Sequence, residues 1–359
     1  MNATDAVRYL REYHGRPLTL MEVCGSHTAV LERYAIRELL SPRLGLVSGP
    51  GCPVCVTPAA EIDRLQRLAL QPGCTLACFA DLLRIPGAAG TLQQTMARGG
   101  SVRPFLSPLE VAGWAAGQPE RLFLVAAIGF ETTAPLYARL LDRIAAAGLT
   151  NVRLISSLRL MPPALRYLLA QPDCPDGFLA PGHVSAIIGS RPYEPLAASS
   201  GRPFVIAGFT PEQVLIGLAH LTRLADQREP VVRNDYPQLV AADGNRQAQG
   251  LLARYFQPAP MLWRGLGEIP DSGLQLRPEY ARLAWRDDLP SDRTAAGRLP
   301  DERADPACRC GDVLAGRLRP RDCAAFGRQC RPEQPLGPCM VSNEGACGLA
   351  FTYHREDPT

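Results

Sequence analysis

Residues 43–70, "RLGLVSGPGCPVCVTPAAEIDRLQRLAL", pass from a short apolar run through a glycine- and proline-rich turn into an amphipathic segment. That succession reads as strand, turn and helix, and its repetition along a chain predicts parallel strands. The segment before it, "LTLMEVCGSHTAVLERYAIRELL" at 18–40, follows the same grammar. So do "RLFLVAAIGFETTAPLYARLLDRIAAAG" from 121, "NVRLISSLRLMPPALRYLLA" from 151, "GFLAPGHVSAIIG" from 177 and "PFVIAGFTPEQVLIGLAHLTRL" from 203. Turns after apolar strands recur in "ACFADLLRIPG" and "ISSLRLMPP", and in "VSGPGCPVC" and "LAPGHVSAI", as a duplicated unit would produce.

The expected fold is α/β, with two similar parallel-sheet domains at 1–118 and 119–230 and a smaller, irregular, mostly helical domain at 231–359. From residue 231 onward Pro, Gly and Arg are more frequent and apolar runs shorter; the polar stretch 286–306, "RDDLPSDRTAAGRLPDERADP", reads as a linker or exposed loop. Charged residues of both signs are interspersed and the net charge is +3, so no basic stripe marks a nucleic-acid surface. No apolar run is long enough to span a bilayer, and "MNATDAVRYLREYHG" lacks the apolar centre of a signal peptide, so a cytoplasmic protein without a membrane partner is expected.

In a reducing compartment twelve cysteines remain mostly thiols, and their clustering points to metal, cluster or redox chemistry. Cys52 and Cys55 form a C-x-x-C directly after an apolar strand, the arrangement of a reversible disulfide, at an expected helix start whose dipole favours a thiolate; half of a zinc site or two buried thiols is the other reading of the pair. Cys24 and His27 hold the equivalent place on the preceding strand. Ligands collect at the carboxyl ends of strands in open α/β sheets, so these four residues are expected to converge in one cleft.

Six further cysteines fall between 308 and 347, in a segment with too little apolar pattern to hold a structure without a metal-type staple. Paired C-x-x-C knuckles are absent there, and spacing alone leaves zinc and an iron–sulfur cluster both open.

Glu131 in "GFETTAP" and His183 in "APGHVSAIIG" also stand at strand ends, each readable as a functional group or as a structural one, Glu131 by capping the helix that follows. Asp81 and Arg84 follow a strand end and are candidates for the cleft. Cys74 and Cys78 read as packing residues of a strand, Cys174 in "QPDCPDG" as an exposed loop thiol, and Trp263 as core. No phosphate-binding fingerprint occurs.

Together these stretches resemble the HypD family of hydrogenase maturation factors. The motifs "MEVCGSHT", "LVSGPGCPVCVTP", "DLLRIPG", "VAAIGFETTAP", "LAPGHVSAIIG", "WRGLGEIPDSGL" and "PLGPCMVSNEGAC" carry the likeness over nearly the whole chain. The resemblance implies a scaffold on which the Fe(CN)2CO unit of [NiFe]-hydrogenases is assembled, more an assembly platform with redox activity than a turnover enzyme. It implies a [4Fe–4S] cluster on Cys310, Cys323, Cys330 and Cys347, iron held by Cys24 with His27 beside it, and a redox-active thiol pair at Cys52 and Cys55. His27 is then read as a group that orients or tunes Cys24 or donates a proton, with direct contact to the iron as the alternative. The implied partners are a small HypC-type chaperone that shares the iron and a HypE-type cyanide donor. Ser26, Ala80 and Thr210 depart from the residues usual in the family's motifs. Two other classes fit the bare cysteine pattern: a cluster-dependent thiol–disulfide oxidoreductase, which needs no Cys24, and a structural zinc docking protein.

Overall fold

A computed structural model describes residues 1–285 and 305–353. In chain order its strands are β1 (Leu18–Glu22), β2 (Leu44–Ser48), β3 (Cys74–Phe79), β4 (Val102–Phe105), β5 (Leu122–Gly129), β6 (Val152–Arg159), β7 (Gly177–Pro181), β8 (Phe204–Ala207), β9 (Val232–Asn234), β10 (Phe256–Trp263) and β11 (Gly267–Leu276). They form a five-stranded sheet ordered β2-β1-β7-β8-β9 and a six-stranded sheet ordered β10-β11-β6-β5-β3-β4. The first is parallel throughout. In the second, β4, β3, β5 and β6 are parallel, and the β10–β11 hairpin adds antiparallel beyond β6.

The mixed α/β class and its parallel pairing follow the sequence pattern; the division of the chain does not. Met1–Cys55, Pro162–Arg246 and Ala307–Thr359 make one compact unit around the first sheet, and Val56–Met161 with Gln247–Pro306 makes the other. The contiguous boundaries at 118 and 230 therefore do not describe this chain. β7 pairs with β1 (Leu20↔Gly177, Glu22↔Leu179), whereas β3 pairs with β5 (Cys74↔Leu122), so each sheet takes strands from both expected domains. The expected third domain is likewise shared out: β9 joins the first sheet, the β10–β11 hairpin the second, and the cysteine-rich end the first unit. The linker read at 286–306 lies, but for its last two residues, outside the described residues.

In the first unit all five residues of β7 are buried, as a central parallel strand covered on both faces requires. Leu20, Leu31, Leu179, Val205 and Leu218 pack there into one core. The second unit packs Phe123, Val125, Tyr137, Leu140 and Leu154 together. Cys74 and Cys78 are buried along β3 as expected, and Trp263 is core, its indole N–H donating to the Ser272 hydroxyl at 2.8 Å. Cys174 is half-buried rather than exposed.

Thr210 starts the helix Pro211–Gln227 with a reciprocal capping box: its hydroxyl accepts the Gln213 N–H and the Gln213 side chain accepts the Thr210 N–H. Among the described residues no helix is long and apolar enough to cross a membrane.

Candidate functional site

β1 ends at Glu22, and two residues on Cys24 caps the helix Gly25–Arg33. Its sulfur makes no formal capping hydrogen bond, yet the amides of Ser26 and His27 lie close enough to favour the thiolate. Burial is the larger effect and pushes the thiol up to about 12, helped by the negative charges of Glu344 and Glu22. Cys24 is therefore a proton-bearing thiol at neutral pH, and a cation that takes the proton's place gains a thiolate already facing a helix N-terminus.

Glu22, buried in the strand, fixes this corner. Its carboxylate accepts the Cys24 N–H at 3.0 Å and the Thr28 hydroxyl at 2.6 Å, with Arg37 at 3.9 Å.

The Cys52–Cys55 turn lies directly against Cys24. Gly25 N–H donates to the Gly51 carbonyl at 3.3 Å, and a Cβ on Gly51 would fall 2.6 Å from Cys24 Cα, so only glycine permits this approach. Cys52 and Cys55 are joined as a disulfide with Cα atoms 5.2 Å apart. The expected helix start is not where they lie. The following helix begins at Ala59, after the N-cap Pro58, so its dipole has faded before it reaches the pair. Two hydrogen bonds take its place: Cys55 N–H donates to Cys52 Sγ at 3.1 Å, and the Ser342 hydroxyl stands 3.2 Å from the same sulfur.

Ser342 belongs to the cysteine-rich end, whose helix Ala346–Tyr353 packs on Gly25–Arg33. One short loop, residues 340–345, thus reaches both thiol sites, Ser342 touching Cys52 and Glu344 lying so close to Gly25 that a Cβ there would meet the Glu344 side chain.

Behind that loop, Cys308, Cys310, Cys323, Cys330, Cys339 and Cys347 line a single cavity. Cys310 and Cys347 hydrogen-bond Cys339, and those bonds hold its thiol well above the ordinary range. The lining offers sulfur donors and no carboxylate or imidazole, which suits iron–sulfur ligation. Among the described residues no three Cys, His, Asp or Glu side chains are arranged as the shell of one metal ion.

Residues 2–354 match the family model described as "HypD: Hydrogenase formation hypA family". The chain is 38% identical to the hydrogenase maturation factor HypD of Rhizobium leguminosarum bv. viciae, an alignment covering 96% of this chain and 89% of that one. It is 39% identical to HypD of Escherichia coli (strain K12), over 95% of this chain and 91% of the relative.

The chain belongs to the HypD family. Of the site residues expected from the sequence, Cys24, His27, Cys52, Cys55, His183, Cys310, Cys323, Cys330 and Cys347 belong to the first unit and Asp81 and Glu131 to the second.

His27 is fully buried, and its ring turns to the strand ends: Nε2 lies 3.0 Å from the Gly208 carbonyl and 3.3 Å from that of Ala207, which makes Nε2 the protonated nitrogen. Nδ1 is buried with no hydrogen-bond partner among the described residues, and desolvation lowers the imidazole to about 4. A neutral ring so committed anchors the helix start that carries Cys24. His183 is exposed and stacks on Phe209 at 3.9 Å, with the His27 ring 5.0 Å from that same phenylalanine. Asp81 and Arg84 are exposed in the 3-10 turn after β3.

Glu131 does cap a helix, but not the one that follows it. Its Oε1 accepts the N–H of Met161, first residue of the helix Met161–Leu169, at 2.8 Å, because β5 and β6 are neighbours and their carboxyl ends lie side by side. Glu131 is 2% exposed, its Oε2 has no partner among the described residues, and burial pushes the carboxyl up to about 7. A raised carboxyl binds a proton in the folded state that the unfolded chain has already lost. Its stability contribution is therefore complete below pH 4.5 and lost as pH rises through 7, a span worth about 3 kcal/mol. Glu131→Gln is expected to flatten this part of the profile, measured as urea-unfolding free energies at pH 5 and pH 8.

The sequence reading missed Glu22, Ser342 and Glu344. A charged residue inside the apolar "LTLMEV" strand was a usable signal for Glu22; Ser342 and Glu344 sit in a polar loop with no periodicity to single them out.

Proposed function

We propose that this chain is a hydrogenase maturation factor that acts as the scaffold for assembling the Fe(CN)2CO unit of [NiFe]-hydrogenases, with iron as its cargo. The observation that carries this reading is the close approach of a buried metal-competent thiol, Cys24, and a disulfide-forming pair, Cys52 and Cys55, through the Gly25–Gly51 backbone contact.

Cys24 binds the iron, its proton leaving as the metal arrives. Glu22 and the Gly25–Arg33 helix hold it in place, and a HypC-type chaperone completes the iron's coordination. The Cys52/Cys55 dithiol supplies two electrons for cyanide release from the thiocyanate of a HypE-type donor. In that step the S–CN bond breaks and a disulfide forms: thiocyanate and dithiol give the donor's thiol, cyanide, the disulfide and one proton. A [4Fe–4S] cluster on Cys310, Cys323, Cys330 and Cys347 would supply reducing equivalents, a reading supported by the thiol donors that line the cavity.

The test is complementation. A hydrogenase-producing strain deleted for its own HypD is expected to regain hydrogenase activity with this chain; soluble, folded protein that restores none would count against the reading.

A further inference from the structure

The Cys52–Cys55 disulfide is not symmetric. Cys52 Sγ receives the Cys55 N–H at 3.1 Å and meets the Ser342 hydroxyl at 3.2 Å, in a pocket where Cys52 is 3% and Ser342 5% exposed. A disulfide sulfur carries no proton, so in this contact the Ser342 hydroxyl is the donor. Ser342 Oγ also accepts the Glu344 N–H at 3.2 Å, which holds the side chain in place. Ser342 is itself held in a tight turn, its N–H on the Pro338 carbonyl and its carbonyl accepting the Gly345 N–H.

We infer that Ser342 is a positioning residue that makes Cys52 the charge-bearing sulfur of the pair and so makes the disulfide easier to reduce. The inference rests on the redox role proposed above. A hydroxyl donates weakly to a neutral disulfide sulfur and strongly to a thiolate, so the bond stabilises the reduced form more than the oxidised one. Reduction then takes two electrons and one proton: the S–S bond breaks, Cys55 leaves as a thiol and Cys52 as a thiolate, the electrons coming from a dithiol or, in the cell, from a low-potential one-electron donor acting twice. The helix dipole that the sequence pattern assigned to this task is thereby replaced by a side chain some 290 residues away.

The experiment is a redox titration of the purified protein against a dithiothreitol buffer at pH 8, quenched in acid and scored by mass spectrometry of the Cys52–Cys55 peptide. Ser342→Ala is expected to lower the equilibrium constant for reduction about ten-fold or more, and Ser342→Thr to restore it. Thermal unfolding of the oxidised variants checks that the fold is intact. An unchanged constant in folded Ser342→Ala, or a shift that Ser342→Thr fails to restore, overturns the inference. Failure of the redox role itself would show elsewhere, as full maturation activity in Cys52→Ala.

Discussion

Cys24→Ala is expected to leave a folded protein that matures no hydrogenase, with affinity for the cargo iron, counted beyond the iron matched by acid-labile sulfide, reduced by more than about a hundred-fold. Changes at groups that merely support a metal ligand cost roughly ten- to a hundred-fold in affinity, and loss of the ligand itself exceeds that. The fold should survive because the side chain removed is small and its backbone contacts, the Glu22 carboxylate on the Cys24 N–H and the Gly25–Gly51 hydrogen bond, do not involve the sulfur. Iron and acid-labile sulfide analysis of anaerobically purified protein, with hydrogenase activity in the complemented strain, measures both parts. The same variant separates two readings of the thiol pair. A freestanding thiol–disulfide oxidoreductase needs Cys52 and Cys55 only, so full biological activity in Cys24→Ala would favour it.

Arg159→Met is expected to destabilise the protein by about 3–5 kcal/mol, the usual cost of removing one partner from a buried ion pair. The Arg159 side chain is 0% exposed, and both terminal nitrogens of its guanidinium are hydrogen-bonded inside the second unit. Nη1 donates to the Ser157 carbonyl and hydroxyl at 2.9 and 2.7 Å and to the Thr57 hydroxyl at 3.2 Å; Nη2 donates to the Leu262 carbonyl at 2.9 Å and to Glu61 at 3.4 Å. Arg264 adds its Nε on the Thr57 carbonyl at 3.0 Å and its N–H on the Val56 carbonyl at 2.8 Å. Methionine matches the length of arginine but supplies none of these donors. Urea unfolding at pH 7 should show a lower midpoint with an unchanged slope. Within the second unit the two arginines thus fix Val56 and Thr57, Arg264 from the motif "WRGLGEIPDSGL", whose sequence reads only as turns and core.

Local grammar was legible in the chain because it is written locally. Apolar runs followed by glycine turns gave the strands and their parallel sense, and the cysteine spacings marked Cys24, the Cys52–Cys55 pair and the cysteine-rich end. The partition into units was not legible, since it depends on which strands pair. β7 starts at Gly177, far along the chain from the end of β2 at Ser48, yet lies in the same sheet, and no apolar pattern distinguishes it from β6, which does not.

The Ser342 hydroxyl on Cys52 and the turn of the His27 ring toward the Gly208 carbonyl belong to this second class, tertiary contacts with no sequence period. His27 illustrates the limit well. Its adjacency to Cys24 in sequence suggested a partner for the thiol or the iron, but the helix carries its ring to the end of β8 instead.

The central claim is that Cys24 holds an iron being fitted with diatomic ligands, and infrared spectroscopy reads those ligands directly. The protein should be co-purified anaerobically with a HypC-type chaperone from cells expressing the remaining maturation proteins. Cyanide and carbonyl stretching bands are expected on the wild-type complex and none on Cys24→Ala. Bands of equal strength on both, or none on a wild-type complex that supports hydrogenase activity in the same cells, would contradict the account.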